Sequence, residues 1–366
     1  MANEILSKAA HLFKTNHPNT KVSAINWGAW EGGMVSPELK KKFLEAGVVL
    51  VNHAGGAAMF VNELNQTYDS QPQVIIGGTL PAPESALSPE LKTYRIKRNL
   101  TLANNPFLTH HSIQGNPVLP VVNAAAWMAD SCVKLFPDFC LYQMKDLKLF
   151  KGIVFDGTEK TTYFTELKEV SKSAEYITFE VTITSEGSKM PTYHYKSVVT
   201  LRNKKVKLEN PAFTPKAITG KNAQNGAVLY TDGSLFHGKY YQGIEEILEL
   251  NDNYLIMKCK AQAVPQIAQG QFPVTSVNTF FLDIQYQGMV VWVEKQHNGA
   301  KSLPLQTALA TVYHPLPFDE TLFVQIEVTE NANFRMGATC YVYDELGTLY
   351  LKTEGAAVTV SPQLTW

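Results

Sequence analysis

Residues 111–120 read His-Ser-Ile-Gln-Gly-Asn-Pro-Val-Leu-Pro and lead into the apolar segment Val121 to Phe136. Proline at a helix start presets the backbone of the first turn, so the sequence predicts a long helix after Pro120. The free amide groups and positive dipole end of that helix would stabilise negative charge beside the imidazole of His111. With 9 His, 23 Gly and 19 Pro among 366 residues, the spacing His-x3-Gly-x4-Pro should arise by chance only about 0.03 times.

A second motif lies in the segment Asn278 to Gln296, which the sequence also predicts to be a long helix. It reads Asp-Ile-Gln-Tyr-Gln from Asp283 to Gln287. The four-residue spacing puts both side chains on one helical face, where the amide can orient the carboxyl group. In this order and at this separation, the two motifs resemble those of dehydratase domains of polyketide, animal-type fatty acid and polyunsaturated fatty acid synthases. The resemblance implies an α+β double hot-dog fold, with two antiparallel sheets that each wrap around a long helix.

The same resemblance implies a lyase that removes water from 3-hydroxyacyl thioesters on an acyl carrier protein and forms trans-2-enoyl thioesters. His111 would be the base, since an imidazole with an ordinary pKa of ~6.5 is largely neutral at physiological pH. Asp283 would be the acid if burial raises its pKa enough for it to carry a proton. Gln287 would support it. The motif positions Gly115, Pro120 and Val121 would provide the tight turn, the helix start and a backbone amide for the thioester oxygen.

A third element of the family follows in residues 234–241, which read Ser-Leu-Phe-His-Gly-Lys-Tyr-Tyr. It aligns with the pattern Gly-Tyr-x-Tyr-Gly-Pro-x-Phe of many polyketide dehydratases. Gly238 is identical, Tyr241 stands at the aromatic end, and His237 stands where the second tyrosine would be. These three residues are predicted to line the substrate tunnel. His110 lacks the motif offsets of its neighbour His111 and is interpreted as structural.

The composition is that of an ordinary globular protein, with 45% hydrophobic and 18% charged residues. A net charge of −1 argues against a nucleic-acid or anionic-membrane partner. The four cysteines have no metal-binding spacing, which indicates reduced thiols in the cytoplasm. Lys8 and His11 interrupt the N-terminal apolar positions, so no signal peptide is expected, and no uncharged run is long enough for a membrane span. The partners implied are the phosphopantetheine-linked carrier protein and other synthase domains; no metal or organic cofactor is expected, and a homodimer is left open.

The domain organisation begins with alternating α and β segments. Asn3 and the stretch Ile-Asn-Trp-Gly-Ala-Trp from Ile25 to Trp30 resemble the C-terminal end of a synthase ketoreductase. The catalytic tyrosine and the glycine-rich nucleotide loop of that family are missing, so this segment is expected not to bind NADPH. The predicted divisions are a ketoreductase remnant at 1–79, a linker at 80–92, a first hot-dog half at 93–203, a connection at 204–225 and a second half at 226–366.

Two other functions remain open at this point. A non-catalytic docking or dimerisation module could share the fold, although it would not need the His111 and Asp283 pair. A product-template cyclase uses a similar pair for aldol chemistry, but the reductase-like segment argues for dehydration. The resemblance also leaves open whether the same base moves the double bond, and whether the parent is a polyunsaturated fatty acid synthase or, second, a polyketide synthase.

Overall fold

A computed structural model of the chain describes residues 2–33, 35–45, 47–65, 72–78, 87–187, 190–220 and 222–366. The chain divides into two compact units, Met1–Ala86 and Leu87–Trp366. The first seven residues of the linker predicted at 80–92 lie outside the described residues. Within the described ranges, no helix is long and apolar enough to cross a membrane.

The first unit follows the α and β order that the sequence predicts. Strands β1 and β2 pair in parallel, with Ala24 opposite Gln73 and Trp27 opposite Ile76. A parallel pair needs a long crossover, which the two intervening helices provide. The ketoreductase origin of this unit stays a prediction. Its elements are α1 (Ala2–Asn16), β1 (Ala24–Trp27), α2 (Pro37–Glu45), α3 (His53–Asn65) and β2 (Gln73–Ile76).

The second unit is built on one antiparallel sheet of twelve strands, in the order β10-β11-β12-β14-β15-β16-β13-β6-β9-β8-β7-β3. Its strands are β3 (Thr93–Asn99), β6 (Phe139–Leu149), β7 (Thr162–Lys172), β8 (Tyr176–Ser185), β9 (Thr192–Asn203), β10 (Gln224–Asn225), β11 (Ile244–Leu250), β12 (Tyr254–Cys259), β13 (Pro304–Val312), β14 (Leu322–Ala332), β15 (Arg335–Tyr343) and β16 (Leu349–Thr359). The remaining elements are the hairpin β4 (Ser112–Ile113) and β5 (Asn116–Pro117), the helices α4 (Val121–Leu135), α5 (Gln266–Gln269) and α6 (Thr279–Gln296), and three short 3₁₀ helices (Pro106–His110, Gly226–Tyr230 and Lys239–Tyr241).

The two halves of this sheet join edge to edge. Strand β13 of the second half pairs with β6 of the first, from Gln306 opposite Lys148 to Thr311 opposite Gln143. The prediction of two sheets therefore needs one correction, since the two are continuous. Pairing these edges satisfies backbone groups that two separate sheets would leave exposed.

The long helices α4 and α6 each lie against the sheet half of their own repeat. Helix α4 contacts β6 and β9, α6 contacts β12 and β14, and the two helices contact each other. Strand β8 alternates strictly, with Ile177, Phe179, Val181 and Ile183 fully buried. Such alternation is expected of a sheet with one face on the core.

Both helix starts meet at the junction of the halves. The side-chain oxygen of Asn278 accepts hydrogen bonds from the backbone amides of Phe280 and Phe281, at 3.1 and 3.3 Å, and so caps α6. Helix α4 begins at Val121, directly after Pro120 as predicted. The Asn123 amide donates to Thr279 Oγ1 at 3.2 Å, which links the first turns of the two helices. Side chains from either first turn can therefore reach one site.

Candidate active site

His111 is held in one orientation by the chain that follows it. Its Nδ1 donates to the carbonyl oxygen of Val118 at 2.9 Å, and the Val118 amide donates back to the His111 carbonyl at the same distance. The intervening hairpin turns at Gln114 and Gly115, whose φ angles are 52° and 81°. Both residues are in the left-handed region of backbone conformation, which glycine adopts without steric cost. Because Nδ1 carries the donated proton, Nε2 of His111 is left with its lone pair.

Asp283 lies one turn into α6 and is held by Gln287, as the spacing predicts. Gln287 Nε2 donates to Asp283 Oδ2 at 2.9 Å and to the carbonyl oxygen of Tyr241 at 2.8 Å. The hydroxyl of Tyr230 donates to Gln287 Oε1 at 2.8 Å and accepts from the Gly243 and Ile244 amides at 3.1 Å. The Gln287 side chain is therefore bonded at both ends. No motif in the sequence indicated Tyr230.

His237 lies between the two predicted catalytic residues. Its backbone forms an isolated antiparallel bridge with His111. Its Nε2 lies 3.2 Å from Asp283 Oδ2, with both side chains about 95% buried. One nitrogen or oxygen atom from each of His111, His237 and Asp283 lies within 4.8 Å of the others. The residue predicted only as tunnel lining thus contacts the predicted acid.

A cavity of about 350 Å³ opens onto these three side chains. The rest of its lining is mainly apolar. Three further residues predicted for the site, Pro120, Val121 and Gln287, also line the cavity. The complete lining is His111, Ile113, Gln114, Asn116, Val118, Leu119, Pro120, Val121, Leu149, Gly152, Val154, Phe236, His237, Asp283, Tyr286, Gln287, Val290, Ser302, Leu303 and Pro304. A mainly apolar pocket with a few convergent polar groups is the usual form of a small-molecule site.

Two residues predicted to line the tunnel are not among those that line this cavity. Gly238 packs against His110, where an added Cβ would lie 2.6 Å from the imidazole Nδ1. Tyr241 is buried, and its hydroxyl donates to Asn123 Oδ1 at 3.0 Å. Both residues therefore support the cavity wall from behind. Gly238 allows its chain segment to approach His110, and Tyr241 joins the 3₁₀ helix Lys239–Tyr241 to α4.

The remaining histidines of interest are accounted for by their contacts. The His110 ring packs on Tyr240, with ring centroids 4.3 Å apart, and does not line the cavity. His194 uses both ring nitrogens, one with Ser185 Oγ and one with the Lys151 carbonyl oxygen, each at 2.9 Å. It is therefore a buried histidine whose hydrogen-bonding groups are satisfied.

The surroundings of the two predicted catalytic groups favour a neutral imidazole and an ionised carboxyl group. Burial lowers the pKa of His111 to about 4, although the nearby Asp283 carboxylate opposes part of that effect. The imidazole is therefore neutral at physiological pH, as a base requires. Burial by itself would raise the pKa of Asp283, but His237, His111 and Gln287 more than offset it, and the pKa is lowered. The expectation that burial raises the pKa of Asp283 is thus wrong, because His237, His111 and the amide of Gln287 stabilise its carboxylate form.

The spacing of His111, His237 and Asp283 would also suit a metal ion, since imidazole and carboxylate are common ligands. The polar contacts do not require one. Asp283 Oδ2 already has His237 and Gln287 as neighbours at 3.2 and 2.9 Å. Its negative charge is therefore matched by the protein itself.

The second unit has the double hot-dog fold of polyketide synthase dehydratase domains. It is similar to the dehydratase domain of a mycocerosic acid synthase-like polyketide synthase, with a TM-score of 0.59 and 16% identity over 76% of this chain and 93% of that one. A dehydratase domain of a trans-AT polyketide synthase from Brevibacillus brevis matches with a TM-score of 0.55 and 18% identity, over 76% and 96% of the two chains.

A longer relative matches nearly the whole chain. One subunit of the polyunsaturated fatty acid synthase of Thraustochytrium sp. is 28% identical over 361 residues, which is 98% of this chain and 12% of that protein. The chain thus spans about an eighth of the length of this relative. No family model matches the chain.

Proposed function

We propose that the unit Leu87–Trp366 catalyses the removal of water from 3-hydroxyacyl thioesters and forms trans-2-enoyl thioesters. The observation that carries this proposal is the pairing of two groups in one cavity. A neutral imidazole with its Nε2 lone pair available comes from the first half, and the Asp283 carboxyl group comes from the second. One ring nitrogen of His111 lies within 4.8 Å of a carboxylate oxygen of Asp283, so an acyl chain bound beside them would meet a base and an acid together.

The elimination follows from these positions. His111 Nε2 takes the α-proton of the acyl chain, and the electrons of that C–H bond form the new double bond. The β-carbon–oxygen bond breaks as the hydroxyl oxygen receives a proton from the Asp283 side, and water leaves. Negative charge builds on the thioester oxygen during this step. Val121 lines the cavity in the first turn of α4, where backbone amides lack intrahelical partners and can stabilise that charge.

The substrate class follows from the relatives and the shape of the site. Similarity to part of a polyunsaturated fatty acid synthase supports an acyl group carried on the phosphopantetheine arm of an acyl carrier protein, with other synthase domains as partners. The apolar lining of the cavity suits an acyl chain.

All four cysteines, each within the described residues, are free, which agrees with the predicted reducing cytoplasm. A non-catalytic role is less well supported, because it would not offset the cost of burying a carboxylate beside two imidazoles.

The test is an assay with defined 3-hydroxyacyl carrier-protein substrates, in which chromatography and mass spectrometry separate trans-2-enoyl from cis-3-enoyl products. We expect the unaltered protein to form the trans-2 product. His111→Phe should lose roughly 10²–10⁴-fold in rate, the usual contribution of a positioned general base. His110→Phe is the matched control and should keep most of the activity. A folded wild-type protein that forms no enoyl product, or equal losses in the two variants, would contradict the proposal.

A further inference from the structure

Three histidines among the described residues of the second unit are buried, and they differ in how their ring nitrogens are used. His194 has both ring nitrogens bonded, whereas His111 has Nδ1 bonded to the Val118 carbonyl oxygen and lines the cavity. His237 has Nε2 beside Asp283, while its Nδ1 is buried with no hydrogen-bond partner among the described residues. An unsatisfied buried nitrogen costs roughly 1–3 kcal/mol. Packing stability therefore does not explain a histidine at this position.

The position of the His237 ring is fixed from several sides. Its backbone bridges to His111, and the amide of the next residue, Gly238, donates to the His110 carbonyl oxygen at 2.8 Å. Phe236 stacks on the ring at a centroid distance of 4.0 Å and is itself covered by Trp366 at 5.1 Å. The contact between His237 and Asp283 thus rests on a rigid frame, so its 3.2 Å separation is a defined feature of the site.

We propose that His237 is a positioning residue that acts through Asp283, the two side chains sharing one proton between Nε2 and Oδ2. The inference rests on the proposed dehydratase function and identifies where its acid proton is kept. A carboxylate with only Gln287 for support would have no proton to give at neutral pH. The adjacent imidazole supplies that proton to Oδ2 as the hydroxyl group leaves.

The proton balance of the cycle is then complete. The pair begins with one shared proton and no net charge, and His111 begins neutral. The shared proton moves from Oδ2 to the leaving hydroxyl, which departs as water, while His111 Nε2 takes the α-proton. The pair is left as a carboxylate with a neutral imidazole, and His111 is left as an imidazolium. The product water can carry the proton from His111 back to the pair, which restores the starting state.

Few titratable side chains other than His111 lie near the pair of His237 and Asp283. Apart from His111, the titratable neighbours of the pair within the described ranges are tyrosines: Tyr241 beside His237, and Tyr230 and Tyr286 near the carboxylate. Burial raises the pKa of each tyrosine well above its ordinary value, so all three stay neutral in an ordinary assay. A change in pH dependence on altering His237 would therefore report on the pair or on His111.

The experiment compares the pH profiles of kcat for the wild type, His237→Gln and His237→Phe. Glutamine can keep a donor near Asp283 but cannot exchange a ring proton, whereas phenylalanine keeps only the stack. We expect His237→Gln to lose roughly 10- to 100-fold in kcat, with KM within about twofold. Its alkaline limb should move towards acid by about one pH unit or more, because Asp283 alone must hold a proton against an ordinary pKa of ~3.9. His237→Phe should lose more.

Two results would overturn the proposal: an unchanged pH profile in His237→Gln, or a raised KM with kcat preserved. His110→Gln is the control and should match the wild type in both quantities. A readout without substrate separates this inference from the dehydratase proposal. In protein with ¹⁵N-labelled histidines, Asp283→Asn should change the ring nitrogen shifts of His237 and leave those of His110 alone. Unchanged His237 shifts would contradict the pair, whereas changed shifts in a protein without dehydratase activity would contradict only the proposed reaction.

Discussion

Replacing His111 with phenylalanine should change the stability of the protein in a way that reverses with pH. At about pH 7.5 the variant loses the hydrogen bond from Nδ1 to the Val118 carbonyl oxygen and leaves that oxygen without its donor. Such a loss costs roughly 1–3 kcal/mol. The wild type should therefore be the more stable protein at this pH.

At lower pH the wild type carries a cost that the variant lacks. The pKa of His111 falls from 6.5 to about 4 on folding, so the unfolded chain takes up a proton that the folded protein does not. The stability that the neutral imidazole contributes is fully present above pH 6.5 and is lost as the pH falls from 6.5 towards 4. The full difference corresponds to about 3 kcal/mol. Between about pH 7.5 and pH 5 the loss is roughly 2 kcal/mol. At about pH 5 the difference in the free energy of unfolding between wild type and His111→Phe should therefore shrink to near zero or change sign.

Urea unfolding followed by tryptophan fluorescence at the two pH values measures this directly, since Trp127 and Trp292 are fully buried in the second unit. His111→Gln is the matched variant, because its amide can donate to Val118 while it cannot titrate. At about pH 7.5, His111→Gln should lose less stability than His111→Phe. On going to about pH 5, both variants should gain stability relative to the wild type by the same amount. Parallel pH curves for all three proteins would refute the reasoning, since they would mean that His111 binds a proton as readily when folded.

Other changes test the rest of the site. Asp283→Asn should reduce the dehydration rate by roughly 10²–10⁴-fold and lower the melting temperature only slightly, because the amide oxygen can still accept from Gln287 although the fold favours the carboxylate; a strongly lowered melting temperature would contradict this. Gln287→Ala should give a smaller rate loss and a stability cost of roughly 1–3 kcal/mol, because it deprives Tyr230 and the Tyr241 carbonyl of their partner; unchanged urea unfolding would argue against that network. Calorimetry should show no saturable binding of NADPH, as residues 1–79 lack a glycine-rich nucleotide loop, and measurable binding would overturn their interpretation as a non-functional ketoreductase remnant.

Local sequence signals predicted the elements that carry the site. Pro120 marks the start of α4, and α6 begins at Thr279, one residue after the start of the predicted segment. The four-residue spacing of Asp283 and Gln287 produces the hydrogen bond that it indicated. These features depend on neighbours within about one helical turn, so the order of residues is enough to specify them.

Tertiary structure alone decided how the halves join and how the site is charged. The pairing of β6 with β13, which makes the sheet continuous, brings together residues far apart in the chain and leaves no mark on either strand's own pattern. The contact of His237 with Asp283 likewise depends on the bridge to His111. That contact also helps to reverse the expected direction of the Asp283 pKa. Burial and distance to the nearest charge set a pKa, and both exist only once the chain has folded.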